Sequence, residues 1–324
     1  MDVFERVWYI ITYIINNGFF PAKLKVSPKC LIGKTAIVTG GCSGIGYATA
    51  TALASRGCRV ILADCQSGTK AKNEIIATTG NQNVVYKHLD LGSFRSVRNF
   101  AADICKTEEK IDILLNNAAV GITEKLLSED GLNYLMQVNV FGAFLLTHLL
   151  LEPLKKAESG RVFFIGSFLA SINNLSLDNL NITDYEMTDE YKRLLYSHSK
   201  TCCIITAQEF AKRLKNYGIT VNSLDPTAVN TPMVQNASKN YGNLLESTIL
   251  TFLSICFSKD VDVVANFYLS VMTKEDADKT NGEYYVLSKI SRKPPNVDNE
   301  KLCQALWTQM EEYVLLKPEE KISS

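Results

Sequence analysis

From Lys34 onward the chain alternates short β-branched, apolar runs with longer segments whose apolar positions recur at helical spacing. The runs lie at 35–39, 59–63, 84–88, 111–115, 161–165, 219–224 and 283–287. The helical segments lie at 44–56, 67–79, 93–108, 131–157, 196–217 and 260–273. Strands that alternate with helices in this way build a parallel sheet. Several runs are apolar throughout, as strands are when helices cover both faces of a sheet. The pattern therefore predicts an α/β fold with seven parallel strands in a doubly wound, Rossmann-like sheet.

Four stretches stand outside that series. Residues 171–195 form a polar insertion rich in Asn, Asp and Tyr, and 227–258 is a long connection ending in an apolar patch at 249–257. Long loops at the functional edge of a sheet are usually lids or substrate walls. Near the start, Phe4, Val7, Trp8, Ile11, Ile14, Ile15, Gly18 and Phe19 fall at helical spacing, broadened by Ile10 and Tyr13. In the tail, Leu302, Leu306, Met310 and Tyr313 do the same and read as a packing helix. The division expected is an amphipathic anchor and basic linker at 1–33, a catalytic domain at 34–290 and a helical tail at 291–324.

Composition narrows the function classes. Lys plus Arg and Asp plus Glu each number 34, so no excess of positive charge advertises a nucleic-acid partner. The nine cysteines lack a CxxC pair and sit mostly in apolar or helical segments, which fits free thiols in a reducing compartment. His88, His148 and His198 show no metal-ligand spacing, and no metal site is expected.

The first run leads into Thr39-Gly40-Gly41-Cys42-Ser43-Gly44-Ile45-Gly46 and then an Ala-rich helix. Gly40, Gly44 and Gly46 allow a tight turn, close backbone approach to a pyrophosphate and close helix–sheet packing, and the helix start offers free N–H groups. No Lys-Ser/Thr pair follows, so it is not a Walker loop. The second run ends near Asp64, where a carboxylate would bind an adenosine 2′-hydroxyl and repel a 2′-phosphate, favouring NAD over NADP. Arg56 and Arg59, close in sequence, leave a phosphate partner open.

Tyr196-Ser197-His198-Ser199-Lys200 begins a helix, and the spacing of four sets Tyr196 and Lys200 on one face. A phenol is a poor base near neutral pH, its reference pKa being about 10. A neighbouring ammonium favours the phenolate, which can then take an alcohol proton as hydride departs. The fifth run ends at Gly166-Ser167, where a hydroxyl can orient an alcohol or polarise a carbonyl.

With these features the sequence resembles the short-chain dehydrogenase/reductase family over residues 34–288. The resemblance is carried by the loop at 39–46, Asp90-Leu91, Asn116-Asn117-Ala118-Ala119, Ser167 and the YSHSK motif at 196–200. It implies Tyr196 as acid/base, Lys200 as partner of the nicotinamide ribose and of the phenol, Ser167 on the substrate oxygen, and Asn139 as support of a proton-relay water. It further implies cofactor contacts from Gly40, Ser43, Gly44, Ile45, Gly46, Asp64, Asp90, Leu91, Asn117 and Thr231, with Tyr196 and Lys200. Two positions depart from the family pattern: Ala119 replaces a glycine, and Pro226 is followed by Thr227 instead of glycine. The middle insertion and Asn133-Tyr134 to Thr147 resemble the retinol-dehydrogenase-like branch. Asp225-Pro226, Val229-Asn230-Thr231 and Leu302 to Trp307 resemble polyprenol dehydrogenases within it.

The reaction expected is NAD(P)-dependent interconversion of a lipophilic alcohol, of polyprenol, retinol or steroid type, and its carbonyl; the apolar patch after Pro226 favours the lipid. A carbonyl reductase of small soluble ketones and a non-catalytic dinucleotide-binding protein are the alternatives. The amphipathic start is interrupted by Asn16 and Asn17 well short of the roughly 20 apolar residues that span a bilayer, so it reads as a surface anchor, followed by Lys23, Lys25, Lys29 and Lys34. Packing of that helix on the protein's own body is the competing reading. Attachment would place the catalytic domain on the cytosolic face of the endoplasmic reticulum or on a lipid droplet. A homodimer is compatible with the sequence.

Overall fold

The computed structural model describes residues 12–13, 29–121, 123, 125–183, 189–229, 259–274 and 280–322. Eight strands make one sheet in the order β3-β2-β1-β4-β5-β6-β7-β8. They are β1 (Thr35–Thr39), β2 (Arg59–Asp64), β3 (Val84–His88), β4 (Ile113–Asn116), β5 (Gly160–Ile165), β6 (Ile219–Asp225), β7 (Tyr284–Val286) and β8 (Lys289–Ile290). The first seven are parallel, as expected from the sequence. The eighth corrects the count. It is a two-residue antiparallel edge strand folded back on β7, too short to leave a periodic signal.

The order reverses between β1 and β4, which opens a crevice at the carboxyl ends of the strands. Helices α1 (Gly44–Ala54), α2 (Thr69–Thr79) and α3 (Phe94–Thr107) follow the first three strands. The helix expected at 131–157 is divided. Tyr134–Met136 passes through a π-helical stretch, Gln137–Phe141, into Gly142–Leu149, together α4, and a short α5 occupies Leu151–Lys155. Pro153 accounts for the second break, because its ring collides with the carbonyl four residues back, at Leu149.

After β5, α6 (Asp189–Leu214) begins about two turns earlier than the YSHSK motif suggests. Those added turns come from residues read as loop because the segment is polar. α7 (Val261–Met272) and α8 (Glu300–Tyr313) complete the set.

Apolar side chains fill both sides of the sheet. On one side α8 is sealed in by Trp307, whose ring lies edge-on to Phe144 and to Phe210 at 4.8 Å in each case. On the other, Leu53, Ala54, Tyr268 and Leu269 pack over Val38, Leu62 and Leu115. No helix among the described residues is long and apolar enough to cross a membrane. Most of the amphipathic start, and the apolar patch at 249–257, lie outside the described residues. Tyr13 is described, and it rests on the body: its ring stacks on Phe168 at 4.9 Å and its hydroxyl donates to Asp225 at 3.0 Å.

Candidate active site

The glycine loop leaves the end of β1 and enters α1 with Gly40 and Gly44 at φ 63° and 54°, a region open to glycine and strained for other residues. A methyl group at Gly46 would lie 2.2 Å from the Gly40 carbonyl oxygen. Ser43, the helix cap, makes no side-chain bond to the first amides of α1. The loop is thus a bare cradle of N–H groups at a helix start, which fits a dinucleotide pyrophosphate. Ile45 packs beneath it against the core.

Neighbouring strand ends brace the cradle. Asn117 donates through its side-chain amide to the Thr39 carbonyl at 2.8 Å, while its own N–H and that of Ala118 each reach the Thr39 hydroxyl at 2.9 Å. Asn117 therefore staples the end of β4 to the phosphate loop. The adenosine side is marked by Asp64, which accepts from the Cys42 N–H and the Gln66 N–H, each at 3.1 Å. Asp90 accepts from the Gly92 N–H at 2.8 Å and shapes the turn after β3. Leu91 has its side chain buried in the core, so contact with a nucleotide is left to its main chain.

Arg59 is not at this site. It opens β2 and Asp64 closes it, so a rise of about 3.3 Å per residue sets the two roughly 16 Å apart. Its guanidinium instead grips Glu108 through two bonds, of 2.8 and 2.7 Å. Arg56 turns back onto the Ala52 carbonyl at 2.7 Å. Thr231 lies outside the described residues.

The chemical end lies at β5. Ser167 follows its last residues, is largely buried, and accepts at its hydroxyl from the Leu169 N–H at 3.2 Å. Tyr196 and Lys200 stand one turn apart on α6, with the Lys200 ammonium 5.6 Å from the centre of the Tyr196 ring. Lys200 is 3% exposed and donates to the Ile165 carbonyl at 3.0 Å. Burial pushes this ammonium below the usual lysine range, while Cys203 and Asp225 oppose that fall.

Asn139 sits in the π-helical stretch of α4 and ties three elements together. Its amide accepts from the Val120 N–H at 2.8 Å and donates to the Val120 carbonyl at 3.0 Å and the Ser199 hydroxyl at 3.1 Å. Ser199 in turn donates to the Tyr196 carbonyl at 2.8 Å. The Cys203 thiol donates to the Asn139 carbonyl at 3.2 Å. Asn139 thus holds the turn of α6 that carries Tyr196 against the loop after β4. His198, inside the motif, is buried against Asn174 at 2.7 Å and pushed down to about 4 by burial, so it is a neutral anchor of the insertion.

Two features escape sequence reading. Thr227, where the family pattern has glycine, adopts φ 64°, a left-handed conformation costing roughly 1–2 kcal/mol for a residue with a side chain. Asp225 is wholly buried and accepts from the Tyr284 hydroxyl, from the Tyr13 hydroxyl and from the Thr227 N–H at 2.7 Å. The departure at Thr227 was visible, but only the fold shows that the turn keeps glycine's conformation in order to satisfy Asp225.

A cradle for a dinucleotide and a Tyr–Lys pair at one edge of a parallel sheet define a nicotinamide-dependent oxidoreductase, and the comparisons agree. The model of the short chain dehydrogenase family matches residues 34–177. Human retinol dehydrogenase 13 is 33% identical over 299 residues, covering 91% of this chain and 87% of its own length. Human retinol dehydrogenase 11 is 39% identical over 210 residues, 64% of this chain and 65% of its own. The solved short chain dehydrogenase of Shigella flexneri, complexed with NADP, superposes with a TM-score of 0.62 at 21% identity, covering 81% of this chain and all (100%) of that one. The chain belongs to the short-chain dehydrogenase/reductase family, in its retinol-dehydrogenase-like branch, and is an NAD(P)-dependent dehydrogenase/reductase.

Proposed function

We propose that the chain interconverts a lipophilic alcohol, of retinol, polyprenol or steroid type, and its carbonyl, with Tyr196 as the acid/base. The observation that carries this reading is the Lys200 ammonium beside the Tyr196 ring and bonded to the carbonyl at the end of β5, the strand that Ser167 follows. The retinol dehydrogenase relatives support the lipophilic substrate class. Bound NAD(P) supplies the hydride acceptor in one direction and the donor in the other. Ser167 orients the substrate oxygen, and Tyr196 removes or returns its proton. Lys200, positively charged in a buried position, favours the phenolate and binds the ribose. Asn139 fixes the turn of α6 that carries Tyr196.

A panel of alcohols and carbonyls with both dinucleotides, followed by reduced-nicotinamide absorbance, tests the reading. Turnover of long-chain alcohols and their aldehydes supports it; activity confined to small soluble ketones overturns the lipid assignment. NAD is the preferred cofactor in this reading, because Asp64 would meet a 2′-phosphate with a negative charge while Arg56 and Arg59 are engaged elsewhere. Asp64→Ser is accordingly expected to raise the ratio of kcat/KM for NADP to that for NAD by at least about tenfold, one like-charge contact being relieved. A wild type already selective for NADP would defeat the argument.

The protein is further proposed to work at a membrane surface, on the cytosolic face of the endoplasmic reticulum or on a lipid droplet. The amphipathic spacing of Phe4 to Phe19 and the lysines after it support a shallow anchor, whereas the contacts of Tyr13 with Phe168 and Asp225 favour packing of its part of the segment on the protein's own body. Full-length protein should sediment with membranes, and a chain starting at Lys29 should do so less. Full-length protein that stays soluble after lysis without detergent would refute the anchor.

A further inference from the structure

We propose that Asp225 is a positioning residue for this reaction: its buried carboxylate is the counter-charge that keeps the Lys200 ammonium protonated. The inference rests on the assignment of Lys200 as partner of Tyr196, and it adds a group that the Tyr–Lys pair does not contain.

The strand register brings the two charges to neighbouring positions. β5 and β6 pair Ile165 with Leu224, and Gly166 donates to the Leu224 carbonyl at 2.9 Å. Lys200 is held on the Ile165 carbonyl at 3.0 Å, and Asp225 is the residue after Leu224. The ammonium and the carboxylate therefore sit at the adjoining ends of two paired strands. Both are shut away from water, at 3% and 0% exposure. A buried charge without a counter-charge neutralises itself by shifting its proton equilibrium.

The donors around Asp225 favour its ionised form against burial, which pushes the carboxyl up. Its two oxygens meet hydroxyl donors from Tyr284 on β7 and Tyr13 near the chain start, and an N–H donor from Thr227. An ionised carboxylate only accepts, so a shell of donors is matched to it. The turn at Thr227 is held at φ 64° to present that N–H. Tyr268 on α7 also faces this group, and its buried hydroxyl has no hydrogen-bond partner among the described residues. On the lysine side the facing groups on α6 are Tyr196 and Cys203. Burial raises the carboxyl and lowers the ammonium, and each partner counteracts that effect on the other.

The sign of the pH effect follows. Alcohol oxidation rises as Tyr196 loses its proton and falls as Lys200 loses its own, so the alkaline limb of kcat/KM reports the lysine. In Asp225→Asn or Asp225→Ser the ammonium loses its counter-charge and deprotonates at lower pH. The alkaline limb should move down by about one pH unit, the low end of the effect of a neighbouring charge. Asp225→Glu should restore it. A folded neutral variant whose limb stays at the wild-type position overturns the proposal, whatever its rate.

In the wild-type chain, a carbon-13 titration of aspartate carboxyls, with Asp225 assigned from its absence in Asp225→Glu, should find this group ionised at neutral pH. A protonated Asp225 at neutral pH overturns the proposal even if neither neutral variant folds. Lys200→Ala with an unchanged pH profile would instead overturn the lysine assignment itself, so the two failures are distinguishable.

Discussion

Tyr196→Phe should abolish turnover while leaving dinucleotide binding nearly unchanged. The substitution removes one oxygen, the atom that carries the transferable proton, and keeps the ring packed against the core. Loss of a positioned acid/base costs about 100-fold or more, or roughly 2.7 kcal/mol of transition-state stabilisation. The effect should appear in kcat, because the hydroxyl acts in proton transfer. Purified variant and wild type, compared with the best alcohol and by dinucleotide titration, give the answer. Wild-type turnover by the variant would remove Tyr196 from the mechanism.

Lys200→Ala should be worse, because two functions fail together. The ammonium that favours the phenolate is lost, and with it the group proposed to hold the nicotinamide ribose. Truncation also leaves the Ile165 carbonyl without its donor and Asp225 without its counter-charge. A buried carbonyl left without its donor costs about 1–3 kcal/mol, so this variant should also melt at lower temperature than wild type. Weaker dinucleotide affinity in a folded variant is the discriminating measurement. Unchanged affinity would restrict Lys200 to an electrostatic role.

The parallel sheet could be read from the sequence because its strands are continuous apolar runs between strong helical segments, and the glycine spacing left little choice about the first turn. Tyr196 and Lys200 were legible because they stand one helical turn apart, and Ser167 because it follows the end of a clear apolar run. What could not be read depended on contacts distant in sequence. That Asn117 also staples β4 to Thr39 could not be read, because only the pairing of β1 with β4 brings those residues together. The Asp225 shell joins residues 13, 225, 227 and 284, and no periodicity links them. The division of α4 shows the opposite case. Pro153 was present to be read, but the surrounding apolar pattern concealed its effect.

Stereochemical bookkeeping of a single hydride tests the central claim most directly. Full-length protein with NAD and a long-chain alcohol deuterated at the carbinol carbon should yield reduced nicotinamide carrying one deuterium, in step with the carbonyl formed. The same mixture with Tyr196→Phe should yield almost none. Carbonyl product without deuterium in the nicotinamide, or no product from any lipophilic alcohol with either dinucleotide, would contradict the account.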